Sequence, residues 1–428
     1  MNYLEAQNYI EEKSRLGIVP GLTQVKELLR RLGNPQDACR TLHIAGTNGK
    51  GSIFAFVQES LLAAGYHVGR YISPTILTYL ERYKLDRRYM TEDEFAVLLT
   101  EVAAVIETME TDGFASPTVF EIETAVAFLY FARNHVDYVL LECGMGGSQD
   151  ATNVLAKPEI CVFAQISMDH MQFLGDTLTK IATEKAGIIK DYVPVVIGET
   201  TPETRPVFEE KAWKAHAPLI FAEEEQLLKD ARQNADGTWT YQTSDYPDLQ
   251  GELGGYYQLK NTNTLLSAIR QLKQAGYSIS EANVREGFAH VCSLTGLMGR
   301  WQKLGSNPTI VCDTGHNTGG IRYIVEQLRN QTYDTLHIVI GMVNDKDISG
   351  VLAMLPKEAR YYFTQASVQR ALPADKVKEL AASHGLKGES YPDVATALKA
   401  AQSEATEKDF IFVGGSSFIV ADLLSLNK

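Results

Sequence analysis

No run of lysine and arginine stands out in this chain of 428 residues, whose 40 basic side chains are outnumbered by 53 acidic ones, a formal charge of −13. Nucleic acid binding needs a positive footprint that displaces counterions, so the composition argues against it. The five cysteines (Cys39, Cys143, Cys161, Cys292 and Cys312) form neither a CxxC pair nor an even framework. Three of them lie in or beside apolar strand-like runs, where a small buried thiol is the expectation rather than a redox or metal site. No apolar run reaches the length of a membrane span, and the opening MNYLEAQNYIEEKSRLG carries acids where a secretory leader has an apolar core. A cytoplasmic location with no membrane partner is expected. Internal repeats and low-complexity tracts are also missing.

What is present is material for packed interiors: 45% of residues are apolar and 22% charged. The length exceeds one ordinary core, so two domains are expected. Apolar periodicity predicts helices over the opening residues and around Val25–Leu32. A short strand follows at Thr41–Ala45, then a glycine-rich loop and a helix from Ile53 to Ala64. The alternation continues with strands near 67–73, 136–143, 160–166 and 193–197, and helices at 118–133, 177–189 and 259–276. Residues 202–252 read as turn-rich, with a peripheral β-segment. A second alternating run begins near Gly299, with strands at 309–312, 336–340, 361–363 and 410–413 and helices at 320–328 and 348–355. The order predicts an α/β chain: a doubly wound, phosphate-loop domain over 1–297 and a smaller Rossmann-like α/β domain over 298–428.

The sharpest local signal is Gly46-Thr47-Asn48-Gly49-Lys50-Gly51-Ser52, between a buried strand and a helix. Glycines let successive N–H groups face one anion, the helix N-terminus adds partial positive charge, and Lys50 supplies a full one. The pattern departs from GxxxxGK[ST], because Ile44 holds the first glycine position and Gly51 separates Lys50 from Ser52. A nucleotide triphosphate is the ligand this loop predicts.

Ser73, Glu142 and His170 each follow a predicted strand, where open α/β sheets keep their ligands. Singly, Ser73 reads equally as a turn cap, Glu142 as the partner of a lysine, and His170 as a core histidine. Together they are a candidate magnesium set, although imidazole is an unusual ligand for so hard a cation. Lys185 reads as a solvated helix lysine, as a partner of Glu184, or as a site residue, and spacing does not choose. In the second half, Arg300 and Asp313 could reach a nucleotide across a cleft, the arginine toward phosphate and the aspartate toward ribose hydroxyls. That arrangement predicts closure on the nucleotide.

These residues carry a family resemblance. His43–Ser52 resembles the HVAGTNGKGS loop of the folylpolyglutamate and dihydrofolate synthases, members of the Mur ligase superfamily. Tyr71-Ile72-Ser73-Pro74, Phe120-Glu121 with Thr124, Leu141–Asn153, Asp169-His170 and Glu184–Lys190 resemble further segments of that family in the same order. So do Tyr257-Gln258 with Asn261, Gly299-Arg300, Asp313 with His316-Asn317, Asp345-Lys346-Asp347 and Gly415-Ser416.

The resemblance implies that Ser73, Glu142 and His170 hold magnesium and that a carbamylated Lys185 helps to hold a second ion. It implies that Gly46, Thr47, Asn48, Gly49, Lys50, Gly51, Ser52, Asn261, Arg300 and Asp313 bind ATP. Gln149, Asp150 and Ala151 would lie at the pterin site, and Lys50, Lys185 and His316 would be catalytic. The implied reaction passes the γ-phosphate of ATP to a substrate carboxylate and joins L-glutamate to the acyl phosphate. The acceptor would be a reduced folate, a dihydropteroate or both, and the enzyme a monomer.

Departures cluster away from the phosphate positions: Thr75, Ser148, Gln149, Gln302, Thr314, Gly315 and Thr318 replace the family's usual residues. Two other readings follow from them, a Mur-type amide ligase for a non-folate carboxylate and a paralogue that binds nucleotide or pterin without turnover. A phosphate-loop kinase or GTPase fits neither the loop spacing nor the second α/β run.

Overall fold

The computed structural model describes residues 1–428 except 18, 345, 427 and 428. Asp345 of the Asp345-Lys346-Asp347 segment therefore lies outside the described residues.

The first half of the chain builds an eight-stranded sheet. In chain order its strands are β1 (Thr41–Ala45), β2 (Val68–Tyr71), β3 (Tyr83–Leu85), β4 (Arg88–Tyr89), β5 (Tyr138–Glu142), β6 (Ile160–Phe163), β7 (Val195–Ile197) and β8 (Leu219–Phe221). The spatial order is β4-β3-β2-β5-β1-β6-β7-β8. The six strands from β2 to β8 in that order are parallel, and β3 and β4 add an antiparallel edge. Every residue of β1, β5 and β6 is buried, as strands covered on both faces must be.

On one face lies the helix Lys50–Ala63, apolar nearly all round, held between the sheet and the helices Gln258–Gln274 and Glu281–Ala289. On the other lie Glu92–Thr111 and Val119–Arg133. A three-stranded antiparallel sheet, β9 (Leu228–Gln233), β10 (Trp239–Thr243) and β11 (Leu249–Gly251), packs against the first layer.

The second half forms a six-stranded sheet with its own core: β12 (Gln302–Ser306), β13 (Thr309–Asp313), β14 (Leu336–Ile340), β15 (Arg360–Phe363), β16 (Gly388–Ser390) and β17 (Phe410–Gly414). Its order is β12-β13-β17-β14-β15-β16, parallel except for β12.

The sequence reading places most of these elements and misses others. It assigns nothing between Ser73 and Thr118, where the structure has the β3–β4 hairpin and the 20-residue helix Glu92–Thr111, opened by a Thr91/Glu94 capping box. It calls 202–252 turn-rich, yet the helix Arg205–Lys214 and β8 extend the parallel sheet before the peripheral β-segment begins. The helix expected from Ile53 starts at Lys50, so the loop lysine stands in its first turn.

Candidate active site

Strand order explains why distant residues meet. β2, β5, β1 and β6 are neighbours, and their carboxyl ends carry Ser73, Glu142, the Gly46–Ser52 loop and the Asp169-His170 segment. In the second sheet β13, β17 and β14 are neighbours, and their carboxyl ends carry Asp313, Ser416 and Lys346. Both sets open onto one cavity of about 1140 Å³. Its walls include Thr47–Ser52, Ser73, Glu142, His170, Asn261, Arg300, Asp313 and His316. Gln149, Asp150 and Ala151 also line it, beside Phe120 and Met145. Lys185, which is buried, and Gly46 are not among the lining residues.

The phosphate loop is bound to its surroundings through main chain and amides. Thr47 N–H donates to the Gln165 carbonyl at 2.7 Å, and Asn48 donates to the Gln165 side chain at 2.8 Å. Gly49 has φ +90°, and a Cβ there would strike the Asn261 carboxamide, so only glycine fits. Lys50 curls back to donate to the Gly46 and Thr47 carbonyls at 3.0 and 3.2 Å, with its Nζ 3.8 Å from Glu142. Lys185, buried, donates to the Gly46 carbonyl at 3.0 Å. Burial, reinforced by Lys50, pushes the Lys185 amine down to about 8.

Glu142 is buried and its carboxyl is raised above the usual range by burial, against the pull of Lys50, Arg300 and Arg70. His170 takes a left-handed backbone (φ +49°), and burial pushes its imidazole down to about 4, leaving it neutral at physiological pH. Among the described residues no three His, Cys, Asp or Glu side chains form a ready metal cage. A buried carboxylate, a neutral imidazole and the Ser73 hydroxyl on one wall nevertheless suit a magnesium ion whose remaining ligands are phosphate oxygens and water.

The second domain reaches the loop directly. A side chain on Gly51 would come within 3.1 Å of the Arg300 guanidinium. Arg300 is held by the Thr314 hydroxyl, and Gly299 N–H donates to the Gln302 side chain at 2.8 Å. Two of the departures noted in the sequence thus support the arginine. Asp313 is buried and already accepts from the Tyr257 hydroxyl, Trp301 N–H and Gly315 N–H at 2.7, 2.7 and 2.8 Å. Asn48 and Asn317 exchange amide hydrogen bonds at 2.9 and 3.1 Å across the cleft.

Other predicted positions serve the frame. Asp150 accepts from Met145 N–H and Thr152 N–H at 2.8 and 3.0 Å, shaping the loop that presents Gln149. Ser148 donates to the Glu184 side chain and stays off the cavity wall, whereas Thr75 is on it. In the sequence, Asp169 and Lys346 stand in family-like segments that give neither a role. The structure joins them at 2.6 Å, with His316 Nε2 3.4 Å from the same carboxylate. The signal available was Asp169's place beside His170.

Comparison with known proteins agrees with this geometry. The Mur ligase middle domain matches residues 44–268, and the Mur ligase glutamate ligase domain matches residues 299–417. Fold and site define an ATP-dependent ligase of the Mur type. The dihydrofolate synthase/folylpolyglutamate synthase of Bacillus subtilis is 31% identical over 429 residues, covering 98% of each chain. An Escherichia coli structure in complex with DHPP and ADP superimposes with a TM-score of 0.86 at 29% identity, covering 99% of this chain and 97% of the other. A bifunctional folylpolyglutamate synthase/dihydrofolate synthase of Yersinia pestis, complexed with AMPPNP and Mn, gives a TM-score of 0.84 at 28% identity over 100% and 98%. The chain belongs to the folylpolyglutamate synthase/dihydrofolate synthase family. No helix among the described residues is long and apolar enough to cross a membrane.

Proposed function

We propose that this chain joins L-glutamate, through an acyl phosphate, to a folate-type acceptor: tetrahydrofolate, dihydropteroate or both. The observation that carries the reading is the convergence of strand ends from two sheets on one cavity that contains the phosphate loop and cations of both halves. The Gly46–Ser52 loop would cradle the triphosphate, with Lys50 beside its outer phosphates and Asn261, Arg300 and Asp313 completing the ATP site. A substrate carboxylate attacks the γ-phosphorus, and ADP leaves. The glutamate amine then attacks the acyl carbon, phosphate departs, and the amine proton is lost as the amide forms. Lys50 and Arg300 offset negative charge as two anions approach.

Ser73, Glu142 and His170 would hold magnesium, which when bound supplies further charge neutralisation. The depressed Lys185 amine favours the neutral form that reacts with carbon dioxide, supporting a carbamate there that helps to hold a second ion. Gln149, Asp150 and Ala151, on the wall with Phe120, would face the pterin, and His316 would act from the second domain. This reading divides the chain into domains 1–297 and 298–428 and makes the protein a cytoplasmic monomer whose partners are small molecules.

The test is phosphate release with magnesium and ATP, comparing dihydropteroate, tetrahydrofolate and no acceptor, each with and without L-glutamate. Release that needs both glutamate and one pterin, and is lost in Lys50→Ala, supports the reading. Tight ATP binding without pterin-stimulated release overturns it. Thr75 and Gln149, both on the cavity wall, favour testing non-folate carboxylates as the second reading.

A further inference from the structure

Asp169 follows β6 and directly precedes His170, yet most of its partners belong to the other half of the chain. One carboxylate oxygen accepts from His170 N–H at 2.9 Å and from Lys346 Nζ at 2.6 Å. The other accepts from Asn317 Nδ2 at 3.3 Å and lies 3.4 Å from His316 Nε2. Lys346 and Asp169 side chains are only 9% and 8% exposed, so water screens the pair weakly. The three opposing groups come from two separate loops, one after β13 and one after β14. One buried carboxylate thus gathers both loops and, on the same oxygen that binds Lys346, holds the backbone of His170.

We propose that Asp169 is a positioning residue for the ligation: it docks the loops bearing His316 and Lys346 onto the first half and ties that docking to the placement of His170. Lys346 Nζ lies 3.5 Å from His170 Nε2, so the docked lysine and the imidazole share one site. Removing the carboxylate leaves Lys346 buried beside His170 without the anion that holds it. The cleft then opens or the loops shift, while the phosphate loop, held by Gln165 and its own helix, keeps its form. Nucleotide affinity and turnover separate as a result, which a general loss of folding does not produce.

The inference rests on the ligase reading for its kinetic arm and is independent of it for its structural arm. The experiment compares the parent with Asp169→Asn, Lys346→Met and the double variant. It measures kcat, KM for L-glutamate, affinity for AMPPCP by calorimetry, and the radius of gyration with AMPPCP and magnesium by solution scattering. Each single variant is expected to lower kcat at least tenfold and raise the KM for glutamate, with AMPPCP affinity falling by a smaller factor than kcat because the phosphate loop keeps its form. The double variant is expected to fall no more than threefold below the worse single one, because both disable one pair. Both single variants are expected to show a larger radius with nucleotide bound. Losses that multiply in the double variant, an unchanged kcat in Asp169→Asn, or an unchanged radius would overturn the proposal. If the parent ligates no pterin, the ligase reading fails and the scattering comparison still decides whether Asp169 docks the two halves.

Discussion

Lys50 and Lys185 both donate to the Gly46 carbonyl, so two cations share one carbonyl oxygen before any phosphate arrives. Burial has already driven Lys185 down to about 8, and Lys50 adds to the effect. In the unfolded chain the same amine holds its proton to the usual 10.5, so between about 8 and 10.5 the unfolded state binds more protons. Stability is therefore expected to rise with pH through that window, and Lys185→Met to flatten the rise in urea titrations. The same shift predicts that added bicarbonate stimulates phosphate release more strongly above about pH 8 than below it, since carbamate formation needs the neutral amine. Equal stimulation on both sides would count against a carbamate at Lys185. Lys50→Ala is expected to lower kcat by about 10²- to 10³-fold, the range for one preorganised donor at a charge-developing centre. Gly49→Ala should weaken AMPPCP binding, because the left-handed backbone costs about 1–2 kcal/mol and the new methyl displaces Asn261. Calorimetry with both variants separates the loss of charge from the loss of loop shape.

Elements were legible where one signal sufficed. β1 and β14 match their expected bounds because an apolar run followed by glycine leaves little choice. The helix Glu92–Thr111 escaped notice because its first turn holds three acids, which mask the buried Phe95, Leu98, Leu99 and Val102 behind it. Site residues at strand ends were readable as candidates, but their meeting depended on strand order, and no local pattern shows that β5 inserts between β2 and β1. Asp169 and Lys346 lie 177 positions apart, a pairing that periodicity cannot reveal. Glu121 shows how an element is tied into the whole. Its carboxylate accepts from Thr118 N–H and hydroxyl at 2.8 and 2.9 Å, and from Val25 N–H at 3.1 Å in the helix Thr23–Arg31. Glu121→Ala strands buried donors at the start of Val119–Arg133, and a loss of about 3 kcal/mol is expected in chemical unfolding. Thr118→Ala, which removes the cap and one of the donors to Glu121 but leaves the carboxylate in place, should cost less, about 1 kcal/mol.

At the scale of the molecule, two cores meet over one cavity and are bridged by short polar contacts: Asn48 with Asn317, Tyr257 with Asp313, and Tyr323 with Glu199 at 2.6 Å. A nucleotide bound between the halves is expected to stabilise both together. At about 100 times its dissociation constant, AMPPCP with magnesium should add about 2.7 kcal/mol, read as a rise in Tm that Lys50→Ala abolishes. A rise that survives in Lys50→Ala would place the ligand elsewhere than the phosphate loop.

The sheet margins have a further consequence, for behaviour in a crowded solution. The eight-stranded sheet ends in the two-residue β4, exposed and preceded by Arg87, and in the three-residue β8, followed by three glutamates. The six-stranded sheet ends in β12, whose register is broken between Lys303 and Gly305, and in the three-residue β16 between Lys387 and Tyr391. Such margins offer a neighbouring molecule too few aligned amides to extend the ladder. Edge-to-edge pairing at these four margins is thereby discouraged in the native state, and the longest edge strand among the described residues is the six-residue β9 of the three-stranded sheet.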